Sequence, residues 1–401
     1  MKTNCICIVF FIVLFSCKKS QTAVPKSITL PQETQEVKET DSPKVSKPAK
    51  ATIPIEFGLV GDSTIDFGGE MLAKQLVNTK FNNRKWQGIP SIEIDQTGAI
   101  YIAWYTGGKG EEAGNYITVS VSKDNGESWS QNELIINPTI SPLRFFDPCL
   151  WKDKYGEICL SWSKSNNNWD GKGGVFYSRI RLTDSVEFSK PRFLAEGVMM
   201  NKPVLSYQKN FMLYPISAWS KTPGTFIYKS MNDALSFNLA ATIEVPKTVR
   251  NIDEHTIIQL ADLSYLCILR GIDGIYVTKS SDILKWSIPT KLPGIGATNA
   301  GRVSLSRLNS GNIALVLNNA TDRSNLKIFI SDDECTTWKY SMLIDKRIGV
   351  SYPNLTQDAS GNIHVTYDYD RYKSMDINHV IFTESDVINN DESKIKRHLL
   401  H

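Results

Sequence analysis

The chain has 401 residues, which suits two or three average domains or one large all-β domain. Apolar residues make up 41% of the chain and charged residues 22%, so a sizeable hydrophobic core can form. The formal net charge of +3 is small for this length and argues against a partner held mainly by charge, such as nucleic acid.

Residues 1–17 are typical of a targeting segment. An apolar run from Ile6 to Leu14, too short to cross a bilayer, leads to Ser16 and Cys17. This order resembles the bacterial lipobox, which implies cleavage before Cys17 and lipid attachment to its thiol. We therefore expect a signal peptide and a lipid anchor at the bacterial cell envelope, at the outer membrane and facing either the periplasm or the surface. An uncleaved anchor with an incidental cysteine is the alternative.

Residues 18–55 are rich in Pro, Lys, Thr, Ser, Glu and Gln. Such a segment buries too little apolar surface to offset the loss of chain entropy, which predicts a disordered tether. We expect one folded domain at residues 56–390 and a polar tail at residues 391–401. Cys149 and Cys159 flank a predicted hairpin, where buried free thiols are the simpler interpretation and a disulfide is the alternative.

Short alternating apolar and polar runs recur along the domain, each after a turn. They begin at Thr97, Tyr155, Lys209, Asp262, Ser310 and Ser360, and successive starts are 48 to 58 residues apart. Alternation of this kind predicts half-buried strands, and helical patterns are nearly absent. Six copies at a fixed period indicate a radial or stacked β array.

A second motif recurs on the same period. SKDNGESW begins at Ser122 and SDDECTTW at Ser331, and weaker copies begin at Ser230 and Ser280. In chain order, the four starts are 108, 50 and 51 residues apart. The Asp suits an Asx-type turn, the Gly suits positive φ, and the Trp suits packing between sheets. Six four-stranded blades around a channel would also leave few exposed sheet edges.

The S-x-D-x-G-x-x-W pattern resembles the Asp box of the sialidase (neuraminidase) superfamily and other BNR-repeat proteins, over residues 80 to 390. The resemblance implies an all-β, six-bladed β-propeller in which the Asp boxes are structural. It also implies that ligands bind at one mouth of the central channel.

The same resemblance implies the principal site residues. Tyr352 in GVSYPNL matches the family's tyrosine nucleophile, and Glu254 and Arg270 match its paired Glu and Arg. Arg323, ahead of the strand that leads to an Asp box, matches a carboxylate-binding Arg. A neutral Tyr is not repelled by an anionic sugar, a Glu can accept the phenol proton, and two Arg can grip a carboxylate.

Two positions depart from the family pattern. Gly88 in WQGIPSI stands where the first blade carries an Arg, and Thr106 stands where the family carries its acid/base Asp. We expect Glu112 or Asp147 to act as acid/base, with Glu111 as a further substitute. The departures make another sugar, including another acidic one, as plausible a substrate as N-acetylneuraminic acid.

Further polar residues precede or open predicted strands at about the blade period, in stretches that resemble exported sialidase-like proteins. As candidate substrate contacts we include Arg144, Asp170, Asn201, Lys202, His255 and Arg302.

The leading hypothesis is an exo-acting glycoside hydrolase of sialidase type that retains configuration through a tyrosyl-glycosyl intermediate. We expect a glycan substrate, a monomer, a membrane contact through the lipid, and neither cofactor nor metal. One alternative is a non-catalytic glycan-binding protein that stacks sugars on Trp86, Trp104, Trp169 and Trp219. The other is a polysaccharide lyase that uses His255 and Tyr352.

Overall fold

The computed structural model describes residues 57–60, 65–66, 71–74, 84–130, 134–166, 173–182, 186–207, 211–218, 223–232, 234–296, 298 and 301–400. These residues form six antiparallel sheets, the blades of a β-propeller, which confirms the predicted fold class. The predicted signal peptide, Cys17, the tether at residues 18–55 and Asp170 lie outside the described residues. Among the residues described, no helix has the length and apolar character needed to span a membrane.

Three short strands precede the first blade and pair with the outer strands of blades one and two. They are β1 (Phe57–Val60), β2 (Ile65–Asp66) and β3 (Met71–Lys74). Blade one consists of β4 (Gln87–Ile94), β5 (Ile100–Thr106), β6 (Tyr116–Ser122) and β7 (Leu134–Pro138). Blade two consists of β8 (Leu143–Lys152), β9 (Ile158–Asn166), β10 (Gly174–Leu182), β11 (Val186–Ser189) and β12 (Arg192–Glu196).

Blade three is the most interrupted, with β13 (Val198–Met199), β14 (Val204–Leu205), β15 (Met212–Ala218), β16 (Gly224–Ser230) and β17 (Asn238–Ile243). Blade four contains β18 (His255–Gln259), β19 (Tyr265–Arg270), β20 (Ile275–Ser280) and β21 (Thr290–Lys291). Blade five contains β22 (Ser304–Arg307), β23 (Ile313–Asn318), β24 (Leu326–Ser331) and β25 (Tyr340–Asp345). Blade six contains β26 (Val350–Gln357), β27 (Asn362–Tyr369), β28 (Asp376–Thr383) and β29 (Lys396–Leu399).

The C-terminal segment differs from the predicted polar tail. A short helix α1 (Glu384–Ile388) and a 3-10 turn (Glu392–Lys394) lead into β29, which pairs antiparallel with β28. The charged side chains of this segment did not indicate a strand in the sequence. An outer strand can carry such side chains because it needs only its backbone hydrogen bonds and one half-buried face. The described part of the blade therefore extends to Leu399.

The inner strands of the blades meet around the channel and are tied together by side chains. Strand β4 of the first blade packs beside β8 and beside β26 of the last blade. The hydroxyl of Ser91 donates to Asn354 Oδ1 (3.2 Å) and accepts from the backbone N–H of Leu150 (2.9 Å). The hydroxyl of Ser304 accepts from the N–H of Leu355 (3.1 Å). These small side chains satisfy buried backbone groups between neighbouring blades, so the ring closes without unpaired polar atoms at these points.

The hydrophobic core lies between adjacent blades. Val316 of blade five and Val365 of blade six belong to one cluster of fully buried side chains, and Leu213 and Cys267 connect blades three and four in the same way. Each blade contributes to two such layers, because both faces of its sheet pack against a neighbour.

The first Asp box forms the predicted turn. Gly126 has φ of 91° and donates its N–H to the Ser122 hydroxyl (2.8 Å). Asp124 Oδ1 accepts from the N–H of Ser128 (2.9 Å), and the indole of Trp129 donates to the carbonyl of Gly126 (3.0 Å). Hydrogen bonds from side chains thus stabilise the turn, instead of the backbone hydrogen bonds of a strand ladder.

The other three copies repeat this geometry with a different residue at the glycine position. The Ser hydroxyl accepts from the N–H of Ala234, Ile283 or Cys335, each of which has positive φ. Each copy connects the third strand of a blade to the fourth. The period inferred from the sequence is therefore the blade period.

A stack of three histidines lies where the first Asp box meets blade six. The rings of His364 and His379 are 5.3 Å apart and those of His379 and His398 are 5.6 Å apart, with the edge of Trp129 against His379. His364 Nδ1 lies 3.0 Å from His379 Nε2, and His364 Nε2 lies 3.3 Å from Asp358. Burial lowers the pKa of His364 and His379, and the neighbouring imidazoles lower that of His379 further.

We expect stability to fall as the pH drops below about 6.5, the ordinary pKa of His, because the unfolded chain then binds protons that the folded stack does not. Urea denaturation at about pH 7.5 and about pH 5.5 measures this loss in the free energy of unfolding. A His379→Leu variant should lose less between the two conditions. Equal losses in the two proteins would contradict the assignment.

Candidate active site

Three inner strands carry the same distortion at one end of the channel. Ile89, Asp147 and Tyr352 each have positive φ (54°, 46° and 50°), each precedes a proline, and the strand register shifts at each. Proline disfavours the right-handed helical conformation in the preceding residue and has no N–H for the ladder, so the strand bulges there. The bulges bring all three residues close to Arg302, since Ile89 and Tyr352 line one cavity with it and Asp147 pairs with it.

The prolines that follow these bulges, Pro90, Pro148 and Pro353, line a cavity of about 10 Å³ together with Arg302 and Tyr352. This volume holds about one water molecule. We use the name pocket for the region around Tyr352, Arg302 and the charged side chains described below.

The side chain of Tyr352 is paired with groups from blade four. Its hydroxyl interacts with the carboxylate of Glu254 and the guanidinium of Arg270, lowering the pKa of the first and raising that of the second. Arg270 Nη1 also donates to Glu254 Oε2 (2.8 Å). Burial raises the pKa of Tyr352 to about 12, and the charge of Glu254 contributes to the rise.

Three further guanidinium groups lie around the Tyr352 ring. Their central carbons are 4.4 Å (Arg371), 5.3 Å (Arg323) and 5.5 Å (Arg302) from the ring centroid. These charges oppose the rise in the Tyr352 pKa in part, and they would stabilise a phenolate formed transiently.

Arg302 connects two buried carboxylates across the channel. Its Nη2 donates to Asp147 Oδ2 (2.9 Å) and lies 3.6 Å from Glu254 Oε1. Burial alone would raise the pKa of Glu254, but Arg302 and Arg270 outweigh it and hold that pKa below the ordinary value. For Asp147, burial prevails and its pKa is raised. Glu254 is therefore the stronger candidate for a carboxylate that is charged at neutral pH.

The loop after Thr106 places one acidic residue at the pocket and turns the next away. Thr106 itself is buried, and its hydroxyl donates to the carbonyl of Trp86 (2.9 Å). Glu111 is partly exposed and lies between Arg371 (3.4 Å) and Arg144 (3.9 Å). Glu112 instead accepts from the N–H of Lys109 within its own loop. Glu111 thus occupies the place predicted for Glu112.

Arg144 lies at the same side of the pocket and is fully buried. Its guanidinium is 4.3 Å from the Phe146 ring and donates to the carbonyl of Glu111 (3.2 Å). The hydroxyl of Tyr105 and the indole N–H of Trp86, both buried nearby, have no hydrogen-bond partner among the described residues. Polar atoms of this kind, buried beside a pocket, are available to a ligand.

Three of the predicted contacts are engaged with other parts of the propeller. Asn201 donates to the carbonyl of Val303 (2.9 Å) and also lines the cavity shared by Arg302 and Tyr352. Lys202 pairs with Glu93 (2.9 Å). His255 is fully buried between two backbone carbonyls, and burial lowers its pKa to about 4. These contacts support the propeller.

The two alternative functions lose part of their basis. Trp86 and Trp104 are buried, so they offer no face for stacking a sugar, and Trp169 and Trp219 lie outside the described residues. The buried His255 is not positioned as the base of a lyase. In the part of the chain that the structure describes, no cluster of three or more His, Cys, Asp or Glu side chains could hold a metal. The cysteines at 149 and 159 are buried free thiols.

Sequence reasoning missed Arg371 and Asp368. Asp368 accepts from Arg371 Nε (2.9 Å), and the pair lies against Tyr352. The only available signal was VTYDYDR, a charged run that ends the strand paired with β26. A charged run of this kind is equally typical of an exposed rim.

We expect the Arg302→Met variant to lose about 3–5 kcal/mol in the free energy of unfolding, because Asp147 would remain buried without its cation. Adding Asp147→Asn should restore part of the loss. The matched control is Arg347→Met, which breaks a half-exposed pair with Asp345 and should cost about 1 kcal/mol or less. Chemical denaturation measures all three, and equal losses for Arg302→Met and Arg347→Met would contradict the prediction.

Comparisons with known proteins agree with this architecture. The profile of the family described as "BNR repeat-like domain" matches residues 77–365. The sialidase NanB from Streptococcus pneumoniae superposes with a TM-score of 0.63 at 13% identity, over 78% of this chain and 70% of that one.

Two other solved structures share the fold at similarly low identity. The leech intramolecular trans-sialidase has a TM-score of 0.61 and 15% identity, over 82% of this chain and 71% of that one. The GH93 α-L-arabinofuranosidase of Fusarium graminearum has a TM-score of 0.55 and 14% identity, over 78% of this chain and 98% of that one. Comparison with curated protein sequences found no match. The chain therefore belongs to the BNR repeat-like domain family and has the six-bladed β-propeller fold of sialidase type.

Proposed function

We propose that this protein is an exo-acting glycoside hydrolase that removes a terminal acidic sugar with retention of configuration, with Tyr352 as nucleophile. The observation that carries the proposal is the place of Tyr352, whose hydroxyl interacts with Glu254 and Arg270 and whose ring is surrounded by guanidinium groups. A buried Tyr with a raised pKa needs an adjacent base before it can attack, and Glu254 is that base.

In the first step the Tyr352 oxygen forms a bond to the anomeric carbon as its proton passes to Glu254. The bond from that carbon to the leaving oxygen breaks, and an acid at the pocket protonates the oxygen. In the second step the same acid, now a base, removes a proton from water, and the water displaces Tyr352, which recovers its proton from Glu254.

Glu111 is the acid/base that we favour. An acid/base must exchange protons with a leaving group and then with water, which suits a partly exposed carboxyl at the pocket edge. Asp147 is buried and paired with Arg302, so it is better suited to holding that cation. Glu112 faces its own loop.

The charge around the pocket supports an acidic sugar. The side chains of Arg144, Arg270, Arg302 and Arg371 pair with the carboxylates of Glu111, Asp147, Glu254 and Asp368, and Arg323 lies over the Tyr352 ring. Guanidinium groups gathered in this way suit the recognition of a carboxylate on a ligand. The structures with this fold include a sialidase, a trans-sialidase and an arabinofuranosidase, so a test panel must contain acidic and neutral sugars.

We expect Tyr352→Phe to lower the rate of sugar release from a panel of sialylated, uronic-acid-capped and neutral glycans by a factor of about 10³ or more. Binding should persist, because the ring and the surrounding arginines remain. The matched control is Tyr367→Phe, which removes a buried hydroxyl that donates to Asp345 (2.9 Å), and it should retain release. Binding without release by the unmodified protein would support the glycan-binding alternative.

For Glu111→Gln we expect release from natural glycosides to fall by about 10² to 10⁴, the usual contribution of general acid catalysis. Aryl glycosides with acidic leaving groups should lose much less in their first step, since the departing phenolate needs no proton. Glu112→Gln is the control and should behave as the unmodified protein. The same loss for both types of glycoside would show that Glu111 is not the acid.

A further inference from the structure

Because Gly88 has no side chain, the side chain of Arg371 occupies the space next to it. A Cβ atom at position 88 would lie 2.8 Å from Arg371 Nε, 2.9 Å from Asp368 Oδ2 and 3.0 Å from Arg371 Cδ. Real Cβ atoms essentially never approach other atoms this closely, so any larger residue would displace the Arg371–Asp368 pair. The glycine is therefore required by a guanidinium that comes from a different blade.

Asp368 holds that guanidinium in place. Its Oδ2 accepts from Arg371 Nε (2.9 Å) and from the N–H of Ile89 (2.7 Å), and its Oδ1 accepts from the hydroxyl of Ser351 (2.6 Å). The carboxylate is fully buried and joins the bulges of blades one and six. With both oxygens engaged within the protein, Asp368 fixes the position of Arg371 as well as that of the two bulges.

One terminal nitrogen of the Arg371 guanidinium is bound only loosely. Nη1 is 3.4 Å from Glu111, whereas Nε and Nη2 are 2.9 and 2.8 Å from Asp368 Oδ2. The guanidinium carbon lies 4.4 Å from the Tyr352 ring centroid. An anionic oxygen above Tyr352 could replace the long contact of Nη1 with a short charge-assisted one.

We infer that Arg371, held by Asp368 in the space left by Gly88, binds the anionic group of the substrate from blade six. This inference rests on the proposed function for the identity of the substrate as an acidic sugar. The cation that the sequence indicated as missing at position 88 is then supplied by Arg371, from another part of the chain. Asp368 is a positioning residue, because it acts through Arg371 and contacts no ligand.

The experiment measures binding of the full chain to N-acetylneuraminic, glucuronic and galacturonic acid, each compared with its methyl ester, by titration calorimetry. The esters keep the sugar and remove the charge. We expect the unmodified protein to prefer at least one acid to its ester, and Arg371→Ala to weaken binding of that acid by about 10- to 100-fold with little effect on the ester. Arg347→Ala, which removes an exposed guanidinium over Tyr369, is the matched control and should keep the preference.

Two further variants separate positioning from folding. Asp368→Asn should reduce the ratio of acid to ester affinity, and Asp368→Glu should restore part of it, whereas damage to the fold would weaken both ligands equally. The double variant Gly88→Arg with Arg371→Gly returns a cation to the same space from blade one. It should recover part of the preference that Arg371→Gly alone loses.

The outcomes distinguish this inference from the proposed function. An acid preference that persists in Arg371→Ala, or no preference in the unmodified protein, overturns the inference, whatever the protein cleaves. An Arg371-dependent preference in a protein that releases no sugar, or whose release survives Tyr352→Phe, supports the inference and overturns the proposed catalytic role.

Discussion

The pocket depends on buried guanidinium groups that are neutralised by carboxylates, either of the same blade or of another one. Arg302 of blade five is paired with Asp147 of blade two, Arg270 with Glu254 within blade four, and Arg371 with Asp368 in blade six. A buried charge without a partner is strongly destabilising, so the site and the closed propeller are stable only together. The same pairs hold the cations close to Tyr352, where they lower the cost of forming a phenolate.

The bulged inner strands make this charge arrangement possible. A regular strand directs alternate side chains into the two faces of a blade, where they enter the hydrophobic layers between neighbouring blades. The bulges at Ile89, Asp147 and Tyr352 interrupt that alternation and aim residues along the channel axis. Proline after each of them removes an N–H that the bulge would leave unpaired. Strain of this type is typical of functional sites, and here it brings Tyr352 close to Glu254.

Candidate residues could be predicted from the sequence to different extents. Tyr352, Glu254 and Arg270 were named together and lie together, because each stands in a recognisable motif at a strand end. Lys202 and His255 stand at similar strand ends but pair with Glu93 and with backbone carbonyls, since a position at the blade period does not specify depth in the channel. Arg371 was not named, because no spacing in the chain relates it to Gly88.

The sequence by itself determined the fold, since alternating strands and Asp boxes are local patterns whose period equals one blade. It also indicated that Tyr352 and Glu254 belong to one site, because each stands in a local motif. Only the tertiary structure decided which charges meet, because residues 88 and 371 come together solely when the last blade packs against the first. Contacts between distant strands depend on ring closure and on the depth of each bulge, and neither quantity is encoded in a short stretch of chain.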